Sequence, residues 1–187
     1  MDNTYIEQYL SKQSDLLAKL PNDKIVGLIE IFKKAWQEDK QIFVCGNGGS
    51  AANASHFITD LSKGASDTLS KPFRGMSLND NVAWMTALGN DRSYAEVFVG
   101  QLNNFAKPGD LLLVMSVSGN SPNLTKAVSW ANDKGLQTIA LIGGKKGTLA
   151  DLASYTIVVD DEHYGRVEDA HMTICHMICY SFMENIR

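Results

Sequence analysis

The chain has 187 residues, 44% of them apolar and 20% charged, with a formal net charge of −4. That is the length of one domain, with enough apolar content for a core that needs no staples; the acidic balance argues against a surface dedicated to nucleic acid or anionic membrane. No apolar run approaches the ~18–20 residues of a membrane span, Met1-Asp2-Asn3-Thr4 does not start a signal peptide, and three cysteines, which cannot all pair, fit a reducing cytoplasm.

The first forty residues predict helices. Tyr5, Ile6, Tyr9, Leu10, Leu16, Leu17 and Leu20 recur at helical spacing, Pro21-Asn22-Asp23 interrupts them, and Ile25, Leu28, Ile29, Phe32 and Trp36 mark a second helix. Gln41-Ile-Phe-Val-Cys45 reads as a buried strand, followed by a glycine loop and a helix from Ser50 to about Lys63. Residues 64–75 are polar and irregular, and Gly75-Met-Ser-Leu78 suits a second strand. Short helices are expected over Val82–Leu88 and Tyr94–Phe105. Asp110-Leu-Leu-Leu-Val-Met115 is apolar after its first residue and gives the strongest strand signal. Pro122 then opens a helix that Gly135 ends. Strands over Thr138–Ile142 and Tyr155–Val159 and a long helix over Arg166–Ile186 complete the chain. Near-continuous apolar strands alternating with helices predict a doubly wound parallel α/β sandwich. The expected layout is one domain: N-terminal helices over 1–40, the sandwich over 41–160 and a C-terminal helix over 166–187.

Two loops carry the first functional signal. Cys45-Gly46-Asn47-Gly48-Gly49-Ser50-Ala51-Ala52 links a strand to a helix with small residues, which let backbone N–H groups approach an anion at the positive end of the helix. It fits neither G-x-G-x-x-G nor a Walker loop. Ser116-Val117-Ser118-Gly119-Asn120-Ser121-Pro122-Asn123 has the same context, with three hydroxyls around a glycine. Each loop alone also suits a packing turn or a helix cap. Together, at the strand C-termini where open α/β sheets bind ligands, they favour a phosphorylated ligand.

On these residues the chain resembles the sugar-isomerase (SIS) domain family, flavodoxin-like in fold, and most closely the phosphoheptose isomerases. The resemblance rests on Cys45–Ala52, His56-Phe57, Gly89-Asn90-Asp91, Ser116–Pro122, Arg166-Val-Glu-Asp-Ala-His171 and His176, in the family's order. It implies conversion of sedoheptulose 7-phosphate to D-glycero-D-manno-heptose 7-phosphate, for a bacterial lipopolysaccharide or capsule. Asn47, Gly48, Gly49 and Ser50 would line the sugar, Asn90 and Asp91 would contact its hydroxyls, and the segment bearing Ser116, Val117, Ser118 and Ser121 would hold the phosphate. The implied metal set is His56, Asp60, Glu168 and His176, with zinc the expected ion, no organic cofactor, and a homotetramer whose active sites lie between subunits. Asp60, Glu168 and His176 are the implied acid/base groups. The chain departs from the family at four places: Asp60 stands where glutamate is usual, Glu168 for glutamine, Gly165 for an acidic residue and Val117 for threonine.

An aldose–ketose isomerisation moves a proton between C1 and C2 through an enediol, which needs a base near carbon and an acid or a metal near oxygen. His56 and Asp60, four apart, share one helix face. Glu168 and His176, eight apart, are separated by a rise of ~12 Å in a straight helix, so either the helix begins after Glu168 or different subunits contribute them. His171 points about 140° away from His176 and reads as structural or interfacial. Two carboxylates with two neutral histidines carry formal charge −2, one more negative than the usual set, which favours a divalent cation or raises the pKa of one carboxyl. The departures suggest that Glu168 takes over proton transfer and leaves Asp60 as ligand or orienter. Cys175 and Cys179 read as small apolar residues of a helix that is apolar on more than one face, buried by the core or by oligomerisation. The rival readings are a non-catalytic SIS protein binding the replication initiator, an isomerase for a different phosphosugar, and a sugar-phosphate sensor.

Overall fold

Five strands, Gln41–Gly46 (β1), Arg74–Ser77 (β2), Leu111–Ser116 (β3), Gln137–Gly143 (β4) and Tyr155–Val159 (β5), pair in parallel in the order β2-β1-β3-β4-β5. The computed structural model describes residues 3–184; the Met1-Asp2 of the leader reading and the expected helix end at Ile186 lie outside them. The helices are Asn3–Ala18 (α1), Asn22–Gln37 (α2), Gly49–Thr59 (α3), Val82–Asp91 (α4), Val99–Phe105 (α5), Pro122–Asp133 (α6), Leu149–Leu152 (α7) and Tyr164–Met183 (α8).

The inner strands β1, β3 and β4 are buried nearly throughout because helices cover both faces of the sheet. Ile42 and Val44 of β1 face one core with α1, α2, α3 and α8, while Phe43 and Cys45 face a second core with α4, α5, α6 and α7. Pro122 stands in the first turn of α6, and Gly135 follows that helix with φ +75°, as a left-handed terminator should. The sheet's last strand is held by α2: the Lys24 ammonium donates to the Thr156 carbonyl at 3.0 Å, and the Tyr155 hydroxyl donates to the Lys24 carbonyl at 2.6 Å.

Two expectations change. The helix after the first loop does not run to Lys63 as one regular element: α3 ends at Thr59, and a wider π turn follows over Asp60–Ala65. The expected helix over Tyr94–Phe105 is a single 3₁₀ turn, Tyr94–Glu96, and then α5. The buried side chains of Val97 and Phe98 fall between them, so tertiary packing overrides a continuous helix. The short α7 carried no periodic signal. The C-terminal helix is chiefly a core helix, burying Val167, Ala170, Ile174, Ile178 and Phe182 in the first core, and it leaves Met177 and Tyr180 exposed.

The turn from β5 into α8 is fixed by an ion pair. Arg166 donates Nε to Asp161 Oδ2 at 2.6 Å and a second nitrogen to Oδ1 at 2.9 Å, a bidentate geometry. The Gly144 N–H donates to the Asp161 carbonyl at 2.8 Å, which ties this turn to the end of β4. Hydrogen bonding from Arg166 holds the Asp161 carboxyl down at about 2. A carboxyl with a lowered pKa in the folded state stabilises the fold above its unfolded pKa, ~3.9, and that stability is lost as pH falls toward 2. Asp161→Asn is therefore expected to lower the melting temperature at pH 7 by on the order of 3 °C. Thermal unfolding across pH should show that gap closing between about pH 4 and pH 2.

Candidate active site

The connections leave β1 and β3 in opposite directions, so a crevice opens beyond their C-terminal ends. A cavity of about 310 Å³ lies there. Asn47, Gly48, Gly49 and Ser50 line it from the β1–α3 loop, and Ser116, Val117, Ser118 and Ser121 from the β3–α6 loop. Tyr164 and Glu168 close it from α8, and none of the lining residues is Lys or Arg.

The second loop turns its hydroxyls toward the cavity by using them as acceptors behind. The Gly119 N–H donates to Ser116 Oγ at 3.0 Å, and the Asn120 N–H to Ser118 Oγ at 3.3 Å. Each serine keeps its own hydrogen free for an anion. Gly119 has φ +67°, and a Cβ there would strike the Lys146 carbonyl, so this position requires glycine. Asn120 Oδ1 accepts from the Thr148 N–H at 2.7 Å and the Thr148 hydroxyl at 2.9 Å, which staples the loop to the β4–α7 connection.

The first loop is bracketed by Asn79, which follows β2. The Gly46 N–H donates to Asn79 Oδ1 at 3.1 Å, and Asn79 Nδ2 donates to the Gly46 carbonyl at 2.9 Å. Where α3 begins, a Cβ on Gly49 would collide with the Glu168 carboxylate. That carboxylate accepts from the Ser50 N–H, and burial, the larger influence, raises its pKa. Asn53 Nδ2 donates to the Glu168 carbonyl at 2.9 Å and ties α3 to α8.

A second group lies further along the same two helices. Asp60 Oδ2 is 3.2 Å from His56 Nε2 and 3.5 Å from His176 Nε2, and the two imidazole rings meet edge-on with centroids 5.1 Å apart. The three donor atoms lie within 4.8 Å of one another. A tetrahedral ion with ligands at ~2.0–2.1 Å spaces them by roughly 3.4 Å, so these three residues could hold a divalent cation. Glu168 is not part of this group. Because α8 is unbroken from Tyr164, Glu168 and His176 are two turns apart on one helix, and of the two expected arrangements a helix beginning after Glu168 is excluded.

Burial and the nearby Asp60 charge push the Cys179 thiol up to about 12, and burial foremost raises Cys175 well above its usual range, so both stay protonated and pack as apolar groups. His171 is fully buried and burial lowers its pKa to about 4, which makes it a neutral core residue. Asn90 and Asp91 are exposed at the end of α4, bonded to each other at 2.9 Å, and do not line the cavity. Asn79, Tyr94 and Tyr164 are not anticipated as parts of the site, and Asn123 is read only as the end of the second loop, with no role of its own. Asn79 directly follows a strand of a parallel sheet, which is the one sequence signal that marks it.

A family model described as SIS domain matches residues 4–143. A probable phosphoheptose isomerase of Thermoplasma acidophilum is 36% identical over 173 residues, covering 92% of this chain and 94% of that protein. A phosphoheptose isomerase of Clostridium acetobutylicum is 33% identical over 181 residues, covering 94% and 91%. The chain belongs to the phosphoheptose isomerase family of SIS domains. The solved phosphoheptose isomerase of Neisseria gonorrhoeae superposes with a TM-score of 0.89 at 26% identity, over 97% of this chain and 98% of that one. Of the segments on which the resemblance rests, Cys45–Ala52, Ser116–Pro122 and Arg166–His171 each contribute residues to the crevice, and His56 and His176 meet at Asp60. The polar side chains of Gly89-Asn90-Asp91 lie outside the cavity.

Proposed function

We propose that this isomerase converts sedoheptulose 7-phosphate to D-glycero-D-manno-heptose 7-phosphate, supplying heptose for a surface polysaccharide in the cytoplasm. The observation that carries this reading is the crevice itself: serine hydroxyls and a helix N-terminus suited to a phosphate, with one carboxylate, Glu168, inside the same cavity. The phosphate is held by Ser116, Ser118 and Ser121 and by backbone N–H groups. The polyol extends along Asn47–Ser50. Glu168 takes a proton from C1, and a proton exchanged with solvent is delivered to C2, while O2 gains and O1 gives up a proton at the His56–Asp60–His176 group of a second copy. Zinc bound by those three residues would supply Lewis-acid polarisation of the oxygen.

The ~12 Å along α8 between Glu168 and His176 supports a homotetramer in which a second copy completes each site. In that assembly Asn90 and Asp91, exposed in one protomer, reach the sugar bound by its neighbour.

The test is turnover of sedoheptulose 7-phosphate in deuterated buffer followed by NMR, with and without added zinc. A heptose 7-phosphate carrying deuterium at C2 is the expected product. No exchange in either condition would overturn the substrate assignment and direct the search to other phosphosugars, for which Asp60, Val117, Glu168 and Gly165 are the reason.

A further inference from the structure

Asn123 sits at the start of α6, is only 1% exposed and does not line the cavity, yet its side chain is bonded to one that does. Asn47 Nδ2 donates to Asn123 Oδ1 at 3.0 Å, and Asn123 Nδ2 donates back to Asn47 Oδ1 at 2.8 Å. Such a reciprocal amide pair has two equivalent orientations until a third group breaks the tie. Here two groups do. The Leu124 backbone N–H donates to Asn123 Oδ1 at 3.0 Å, which requires an oxygen at that position. The Tyr94 hydroxyl donates to Asn47 Oδ1 at 2.9 Å. Both lone pairs of Asn47 Oδ1 are then occupied, by Asn123 and by Tyr94, and one Nδ2 hydrogen is used by Asn123. One N–H remains, on a side chain that lines the cavity.

We infer that Asn123 is a positioning residue that fixes the Asn47 amide as a hydrogen-bond donor toward the sugar, so that Asn47 recognises an acceptor oxygen of the substrate, a carbonyl or a hydroxyl lone pair, and not a hydroxyl hydrogen. This rests on the reading of the cavity as a phosphosugar site. The orientation passes from the α6 backbone through Asn123 to Asn47, so the two loops on either side of the crevice set one donor between them. Tyr94, 59% exposed, reinforces the same orientation from the solvent side.

A double-mutant cycle tests this. Asn123→Asp keeps an acceptor for the Leu124 N–H but cannot donate to Asn47 Oδ1, so Asn47 loses its fixed direction. We expect kcat/KM for sedoheptulose 7-phosphate to fall about tenfold, with most of the loss in KM. In an Asn47→Ala background the same change should cost less than about twofold, because the group it acts through is gone. Fold losses that multiply in the double variant would overturn the inference, and so would an Asn123→Asp loss confined to the melting temperature. Tyr94→Phe run through the same cycle keeps the test open should Asn123→Asp unfold; a loss of about threefold, absent in the Asn47→Ala background, is expected. If the wild-type enzyme binds sedoheptulose 7-phosphate without converting it, the substrate assignment fails separately and the cycle is read on calorimetric Kd, with the same criterion. No binding by the wild type would overturn both.

Discussion

Glu168→Gln is expected to lower turnover of the ketose phosphate by about a hundredfold or more, the usual contribution of a general base, with a smaller change in KM. Glutamine has the shape of glutamate and can still accept from the Ser50 N–H, so the α3–α8 contact and the cavity survive. What it lacks is a group that can take a proton. Burial raises the Glu168 pKa, so the basic form appears at higher pH than for an ordinary glutamate, and the acid limb of the kcat profile should be displaced upward. The variant should lose that limb along with the rate. Deuterium incorporation at C2, followed by NMR from pH 4 to 8, measures both. Unchanged turnover in Glu168→Gln would remove Glu168 from the chemistry and leave Asp60 as the carboxylate to consider.

Asp60→Asn should be at least as damaging, for a different reason. One oxygen, Oδ2, lies 3.2 Å from His56 and 3.5 Å from His176, so a single carboxylate organises both imidazoles. The amide presents an NH₂ or a weaker acceptor to them, and it removes the only negative charge of the three-residue group. We expect turnover to fall by about two to four orders of magnitude and zinc affinity, read by competition with a chromophoric chelator, to drop by at least about a hundredfold. Asp60→Glu, which lengthens the side chain by one methylene, should retain a measurable part of both. The two carboxylates thereby separate: loss of zinc affinity in Asp60→Asn, with retention in Glu168→Gln, is the expected pattern. Equal loss in both would place Glu168 among the ligands.

Much of this arrangement is legible in the residues before any coordinates. The strands read correctly because a sheet covered on both faces leaves apolar runs such as Leu111–Met115, and the two loops declare themselves by small residues at strand ends. The helical rise between Glu168 and His176 separates these residues in the sequence as it does in the fold. The wide turn at Asp60–Ala65 has no sequence signature, because π and α turns share the same residue preferences and differ in how the chain is packed. Asn79, and the bond that Asn123 of the second loop makes, were hidden for a related reason: each reaches a backbone or side chain 33 or 76 residues away. Asn90 and Asp91 show the converse, a motif visible in the chain whose polar side chains bond each other outside the cavity.

The two rims of the sheet also bear on how this protein behaves when crowded. An exposed strand edge is a template onto which a foreign strand can dock. At β5 the Lys24 ammonium already holds the Thr156 carbonyl, so that rail is partly filled from within. At β2 the strand is only four residues long and starts at Arg74, whose guanidinium reaches the Asp39 carbonyl at 3.0 Å. A short, charged rim and an obstructed one give incoming strands little length to zip along.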